Sequence, residues 1–193
     1  VNASPLTQTF PLFRDKSGVY HFPDTISVFG EFGFAMNVVD KREGTNNVYQ
    51  FHRAELMVDG NLEFELSYDR IPFNQGKFAK TMIEYDLKRK NLGEFQKLYR
   101  LPEHRKISIH SSDKSGILGL APGVHSVEIR IFDANGNKTI IRGTVAATFP
   151  MTLDVSEIFR DDKVVTLALS PKRGGLALRD AVVYSFTKYG FAD

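Results

Sequence analysis

The chain has 193 residues and a formal net charge of +2, from 25 Lys and Arg against 23 Asp and Glu. Its 42% apolar and 25% charged residues are ordinary for a folded domain and exclude wholesale disorder. The near balance of charge argues against a nucleic-acid partner held by bulk charge. Cys is absent, which excludes disulfides and thiolate metal sites. No apolar run reaches the roughly 18 residues of a transmembrane helix, so no membrane span is expected.

The first 24 residues are predicted to be extended. Each proline there removes a backbone donor and pushes the preceding residue towards extended geometry. We therefore expect residues 1–24 to form an extended linker lying on a domain. The prolines are Pro5, Pro11 and Pro23.

A strand is predicted over Thr25–Val39, because apolar side chains occupy its even positions. Gly30 and Gly33 interrupt the pattern and indicate a bulge or a close approach of the backbone. Three phenylalanines in this strand could form a platform for sugars, although such residues are more often core and the favoured stacking residue, Trp, is absent. They are Phe29, Phe32 and Phe34.

A β-hairpin is predicted over residues 53–68. Apolar and polar side chains alternate on both sides of Asp59-Gly60, a dipeptide that tolerates the positive φ of a tight turn. Leu62 is assigned to the buried face. Glu63 and Glu65 lie on the wet face, where an exposed carboxylate pair is typically solubilising.

A second hairpin joins a strand over residues 124–132 to a return strand over Thr139–Val145, through the turn-forming residues Asp133–Asn137. Asp133–Asn137 also matches the opening of a calcium loop. Lys138 and Thr144 stand where that loop needs Gly and Glu, so the pattern favours a turn.

Less regular stretches separate and follow the two hairpins. Residues 77–86 could be a strand, and Asp86–Asn91 indicates a short helical turn. The charge run Lys88–Lys90 is interpreted as a solvated surface, with a binding patch as the alternative. A boundary is predicted at Phe149-Pro150. Residues 151–193 carry strand signals but are too few for a core of their own, which indicates a partial second β-domain or a packed extension.

These elements predict an all-β fold. Short strands at regular spacing favour an immunoglobulin-like β-sandwich with a short helical turn over residues 25–148. The chain begins at Val1 without Met and ends just after a strand-like stretch, so we expect a piece of a longer protein.

No residue is assigned a catalytic, cofactor-binding or metal-binding role. Ser111 and Asp113 lie near His110, but triads are assembled across a fold and adjacency does not indicate one. Zinc spacings such as H-E-x-x-H and H-x-H are missing. We interpret the five histidines as surface or edge residues: His21, His52, His104, His110 and His125. If the strand over residues 124–132 alternates without a bulge, His125 is a partly buried histidine at a strand start with a backbone partner.

A string of segments between residues 26 and 148 carries a family resemblance. They are Ile26–Phe34, Asn47–Tyr49, Ala54–Gly60, Tyr68–Phe73, Ile83–Asp86, Phe95–Pro102, Gly123–Ile129 and Asp133–Asn137. Together they resemble the β-rich region that follows the catalytic domain in some bacterial lysostaphin-type (LytM-like) zinc metallopeptidases. The last two are also similar to the ending of many bacterial immunoglobulin-like domains.

The resemblance implies a non-catalytic accessory region of a peptidoglycan-directed peptidase, acting in targeting, positioning or regulation in the bacterial cell envelope, at the periplasm or cell surface. The family holds zinc through H-x-x-x-D and H-x-H motifs. His21-Phe-Pro-Asp24 is one residue short of the first, and the second is absent, so zinc is expected only in a catalytic domain outside this chain. Implied partners are that domain and cell-wall glycan or peptide. The alternatives are a stand-alone adhesion or carbohydrate-binding module and, third, a hydrolase with a dispersed site.

Overall fold

The computed structural model describes residues 7–38, 40–41, 48–49, 51–76, 80–101, 108–110, 112–148, 153–160, 165–171, 186–187 and 190–191. The chain is strand-rich with few helices, as expected of the all-β class. The backbone divides into two compact units, Val1–Phe149 and Pro150–Asp193. Among the described residues, no helix is long and apolar enough to cross a membrane.

The described part of the first unit contains short strands and short helical turns. The helical turns are two 3-10 turns, Phe73–Gln75 and Lys80–Met82, and helix α1 (Tyr85–Arg89). The strands are β1 (Phe13–Arg14), β2 (Tyr20–His21), β3 (Ile26–Phe29), β4 (Glu31–Phe32), β5 (Ala35–Met36), β6 (Asp40–Lys41), β7 (Val48–Tyr49), β8 (Arg53–Val58), β9 (Asn61–Ser67), β10 (Gln96–Lys97), β11 (Leu118–Gly119), β12 (Gly123–Phe132) and β13 (Lys138–Thr148).

One large sheet organises this unit. Its strand order is β1-β2-β13-β12-β8-β9, and β3 also pairs with β13. The pairs of β13 with β2 and with β3 are parallel, and the other pairs are antiparallel. Three small sheets pair β4 with β11, β5 with β10 and β6 with β7.

The core lies on one face of the large sheet. Alternation along β8 and β12 directs every second side chain inwards, so their apolar residues are buried together. Side chains from β5, β11 and the residue after β10 join the same cluster, which shows that the β4–β11 and β5–β10 sheets contribute to one common core. Members include Leu56, Phe64, Ile129, Met36, Leu98 and Leu118.

The hairpin predicted over residues 53–68 is confirmed as β8–β9. Asp59 and Gly60 both have positive φ, 49° and 79°, as a tight two-residue turn requires. The prediction that Leu62 is buried is wrong, since this residue is 38% exposed. A register shift between Leu56 and Met57 inserts an extra residue opposite them, and such a slip breaks the period of two on which the prediction rested.

The second predicted hairpin is confirmed as β12–β13. One carboxylate oxygen of Asp133 accepts hydrogen bonds from the backbone N–H groups of Asn135 and Asn137, both at 2.8 Å. The other accepts one from Asn137 Nδ2 at 2.7 Å. The aspartate therefore closes the turn on itself, as the turn interpretation requires.

The strand predicted over residues 25–39 is divided into β3, β4 and β5. Gly30 has a φ of +65°, and a Cβ on Gly33 would lie 2.5 Å from the Tyr99 ring, so the two glycines mark a bend and a close approach as predicted. Phe32 and Phe34 contact edge to face at 5.7 Å and pack against the core, whereas Phe29 is 66% exposed on the opposite face.

Two other stretches can be compared with the sequence interpretation. The possible strand over residues 77–86 is wrong for its described part, which forms the second 3-10 turn and the start of α1. The helical turn predicted over 86–91 is confirmed by α1. Within residues 1–24, predicted as an extended linker, β2 pairs with β13 through Tyr20–Ile141 and His21–Arg142. That pairing joins positions far apart in sequence, which local pattern cannot reveal.

The second unit contains four described strands. β14 (Leu153–Arg160) and β15 (Val165–Pro171) form an antiparallel pair with an irregularity between Glu157 and Phe159, and β16 (Phe186–Thr187) pairs with β17 (Gly190–Phe191). The sequence Pro171-Lys-Arg-Gly-Gly175 is typical of a turn, and its residues after Pro171 lie outside the described residues. The interpretation of residues 151–193 as a partial second domain or an extension stays a prediction.

Candidate functional site

A polar hollow of about 590 Å³ opens at the end of β9. It is lined by Ser67, Asp69, Arg70 and Ser108, and is called the Arg70 hollow below. A volume of this size is within the range of small-ligand sites. The described part of its lining offers two hydroxyls, a carboxylate and a guanidinium, which suit a polar ligand.

Hydrogen bonds between distant segments fix the walls of the Arg70 hollow. The Ser67 N–H donates to the Ile109 carbonyl at 2.8 Å, which sets the segment around residue 109 beside the end of β9. Ser108 then donates its N–H to Gln75 Oε1 at 2.8 Å and its hydroxyl to the Arg70 carbonyl at 3.2 Å. Three segments of the chain are thus tied together around one opening.

The two charged side chains of the hollow differ in how they are engaged. Asp69 Oδ1 lies 2.7 Å from His52 Nε2, and Asp69 Oδ2 accepts a hydrogen bond from the Ser67 hydroxyl at 3.0 Å. Arg70 is exposed, and its guanidinium forms no ion pair with a carboxylate of the described residues. The described part of the hollow therefore combines an oriented carboxylate with an exposed guanidinium, a group that suits an anionic ligand.

His110 lies close to this region but inside the core, so its interpretation as a surface or edge histidine is wrong. It is 5% exposed, forms an antiparallel bridge with Leu66, and contacts the Phe64 ring at a centroid distance of 5.7 Å. Its Nε2 lies 3.1 Å from Met82 Sδ. The ring fills core volume here, and the two apolar partners come from segments that sequence spacing cannot connect to residue 110.

Three other histidines each meet an aspartate. His21 Nε2 lies 2.8 Å from Asp15, His52 is paired with Asp69 as above, and His125 Nδ1 lies 2.6 Å from Asp59. Their side chains are partly exposed, in keeping with an edge position. The prediction for His125 is confirmed, because it is partly buried at the start of β12 and its Nε2 donates to the Ala121 carbonyl at 2.7 Å.

The aspartates of two of these pairs are also held by backbone groups. Asp15 accepts from the N–H groups of Ser17 and Val19, and these bonds together with the Ser17 hydroxyl and His21 depress the pKa of Asp15 strongly. Carboxylates held in this way organise turns.

His104 lies outside the described residues. Within the described part, no group of three or more His, Cys, Asp or Glu side chains is arranged to hold a metal.

A buried polar cluster lies elsewhere, between α1 and β10. Glu84 Oε1 accepts a hydrogen bond from the Tyr99 hydroxyl at 2.7 Å and lies 3.1 Å from Lys97 Nζ. Burial, with Glu84 adding to it, raises the pKa of Tyr99. Nearby, Tyr68 donates to Gln96 Oε1 at 2.8 Å, and burial raises the pKa of Tyr68 to about 12. These groups satisfy one another, which indicates a structural role.

The charge run predicted as a solvated surface is largely neutralised by its neighbours. Lys88 Nζ lies 2.6 Å from Glu94, and Arg89 lies 3.6 Å from Asp86. The side chains in both pairs are about half exposed or more. Of the acidic pair on β9, Glu63 contacts Lys114 at 2.8 Å. Such exposed pairs are solvated features of a surface.

Comparison with known proteins adds no relative. No family model matches the chain, and neither a curated protein nor a solved structure matches it.

The sequence interpretation assigned no site residue, so it missed the lining of the Arg70 hollow altogether. The one available signal was Asp69-Arg70, an adjacent pair of opposite charges between a strand and the loop at Pro72.

Proposed function

We propose that this chain is a non-catalytic β-sandwich accessory region of a bacterial peptidoglycan-directed zinc metallopeptidase, and that it positions the enzyme by binding wall material in the Arg70 hollow. The observation that carries the proposal is that both charged residues of the hollow lie in a segment of the family resemblance. Asp69 and Arg70 both belong to Tyr68–Phe73, one of the segments on which the family resemblance rests.

The chemistry of the hollow supports a wall ligand that carries both carboxylates and hydroxyls. An open guanidinium binds a carboxylate through two parallel hydrogen bonds, as the peptide part of peptidoglycan would allow. Ser108 and Asp69 offer a hydroxyl and a carboxylate to glycan hydroxyl groups. Because hydrogen bonds already fix these walls, little ordering cost accompanies binding.

The strand order supports the immunoglobulin-like part of the proposal. In that fold the final hairpin lies beside an earlier hairpin in one sheet, and the remaining strands form a second layer. Here β12 of the final hairpin pairs with β8 of the first hairpin, while β4 and β5 pair with β11 and β10 outside this sheet. The same order favours the alternative, a stand-alone immunoglobulin-like adhesion or carbohydrate-binding module.

Co-sedimentation with purified peptidoglycan sacculi tests the proposal. We expect the wild-type chain to sediment with sacculi, and Arg70→Ala to bind about tenfold more weakly, since it removes a charged hydrogen-bonding group. Arg89→Ala is the matched control, because Arg89 is also an exposed arginine but pairs with Asp86 on α1. It should bind like the wild type.

The other outcomes are informative. Equal binding by Arg70→Ala and the wild type would show that the Arg70 hollow is not the binding site. Absence of binding by the wild type would contradict peptidoglycan as the ligand. Undiminished binding to glycan strands stripped of peptide would favour the carbohydrate-binding alternative.

A further inference from the structure

His125 occupies a site with a hydrogen-bond acceptor at each ring nitrogen. Its Nδ1 lies 2.6 Å from Asp59 Oδ2, and its Nε2 lies 2.7 Å from the Ala121 carbonyl oxygen. The His125 side chain is 16% exposed, whereas the side chain of Asp59 is 47% exposed.

A neutral imidazole cannot satisfy both of these partners. It carries one N–H, whereas the imidazolium cation carries two. A carbonyl oxygen only accepts, and an ionised carboxylate only accepts. The arrangement around His125 therefore matches the doubly protonated ring, and a neutral ring would leave one nitrogen lone pair facing an oxygen.

Three separate segments of the first unit meet at this ring. Asp59 forms the turn between β8 and β9, and it is fastened to β12 because its Oδ1 accepts from the Ser126 N–H at 2.8 Å and its own N–H donates to the Ser126 carbonyl at 3.0 Å. Ala121 lies in the connection from β11 to β12. His125 thus contacts both the turn and this connection.

We infer that His125 is a proton-operated latch, in which the imidazolium ties the β8–β9 turn to the β11–β12 connection and loss of its proton releases one of the two ties. The inference is independent of the proposed function, because it concerns a different turn from the one that lines the Arg70 hollow.

The surroundings of the ring favour its charged form. Asp59 is the only charged side chain of the described residues that acts on it. The strand partner on β13 is Val145, and the adjoining end of β8 presents Val58, both uncharged. The hydrogen bond to Asp59, then the one to Ala121, raises the pKa of His125, against the opposing effect of burial. The same contact, first of several, lowers the pKa of Asp59.

The direction of the pH dependence follows from these shifts. Since the folded pKa of His125 is raised, its contribution to stability is complete below the unfolded value of about 6.5 and is lost as the pH rises through the folded pKa. Since the folded pKa of Asp59 is lowered, its contribution is present above about 3.9 and is lost as the pH falls through the folded value. The latch is therefore closed between these limits and opens on the alkaline side.

NMR titration of the imidazole resonances of the intact chain tests the inference. We expect His125 to titrate with a midpoint above about 6.5 and Asp59→Asn to lower that midpoint, while leaving that of His21 unchanged. His21 is a suitable control because the described residues place a partner at only one of its nitrogens. A wild-type midpoint for His125 at or below about 6.5 would overturn the inference even if no variant folds.

A double-mutant cycle provides the second measurement. The effects of His125→Gln and Asp59→Asn on the unfolding equilibrium constant should be strongly non-additive at about pH 5.5 and close to additive at about pH 8.5. Equal non-additivity at both pH values would show that the contact does not depend on the proton, and would overturn the latch.

Discussion

The ring of Phe22 leaves no space for a side chain at Gly143. A Cβ at this position would lie 1.9 Å from the Phe22 ring, and the φ of Gly143 is not in the left-handed region, so the constraint is purely one of space. Phe22 packs against the core beside β13, and its N–H donates to the Arg142 carbonyl at 3.0 Å. Gly143 thus lets the segment after β2 approach the sheet.

Substitution at Gly143 tests this contact. We expect Gly143→Ala to lower the free energy of unfolding by ~1–3 kcal/mol through overpacking. Phe22→Ala in the same chain should reduce the additional cost of Gly143→Ala. The matched control is Gly119→Ala, whose Cβ would meet nothing closer than 4.0 Å. Denaturant melts of the four variants provide the comparison, and equal losses at Gly143 and Gly119 would contradict it.

Substitution of Ile129 tests which face of β12 is buried. The residue is 3% exposed and pairs with Leu56 and Ile141, which are also buried. Ile129→Ala should lower the free energy of unfolding by ~2–5 kcal/mol, through lost burial and the cavity left behind. A loss below about half a kcal/mol in a denaturant melt would mean that the side chain faces solvent.

At the scale of elements, position 60 of the β8–β9 turn is constrained by backbone conformation and not by space. Gly60 has a φ of +79° and nothing lies within 4 Å of the Cβ it lacks. We expect Gly60→Ala to destabilise by ~1–2 kcal/mol, because a side chain disfavours left-handed backbone. Gly76→Ala is the control: its surroundings are equally open but its φ is −55°. Thermal melts should separate the two, and matching melting temperatures would contradict the assignment of the turn.

Local turn chemistry explains why both hairpins could be predicted from sequence. The residues Asp59-Gly60 and Asp133–Asn137 determine their own turn conformations, since φ preference and short-range hydrogen bonds act within a few residues. The stretch over residues 77–86 was misread because its apolar residues satisfy a strand pattern, whereas Met82 is buried from a 3-10 turn. The pairing of β2 with β13 depends on a partner more than a hundred positions away, which periodicity does not encode.

At the scale of the whole molecule, the fold class was accessible from sequence and the candidate site was not. The Arg70 hollow brings the segment of Ser67 and Arg70 beside Ser108, which lies 38 positions after Arg70 and is joined to it by a long-range hydrogen bond. The contact between Asp69 and His52 could likewise not be predicted from sequence, because the two residues lie on either side of a complete hairpin. Only the resemblance drew attention to Tyr68–Phe73, and it did so without assigning these residues a role.

The central claim, that this chain is the accessory region of a cell-wall peptidase, is tested most directly by the coding sequence upstream of Val1. We predict a domain that contains an H-x-x-x-D motif followed by an H-x-H motif, the zinc ligands that the resemblance implies. Further β-strand repeats with neither motif would contradict the claim and would leave an adhesion or binding module as the function to test.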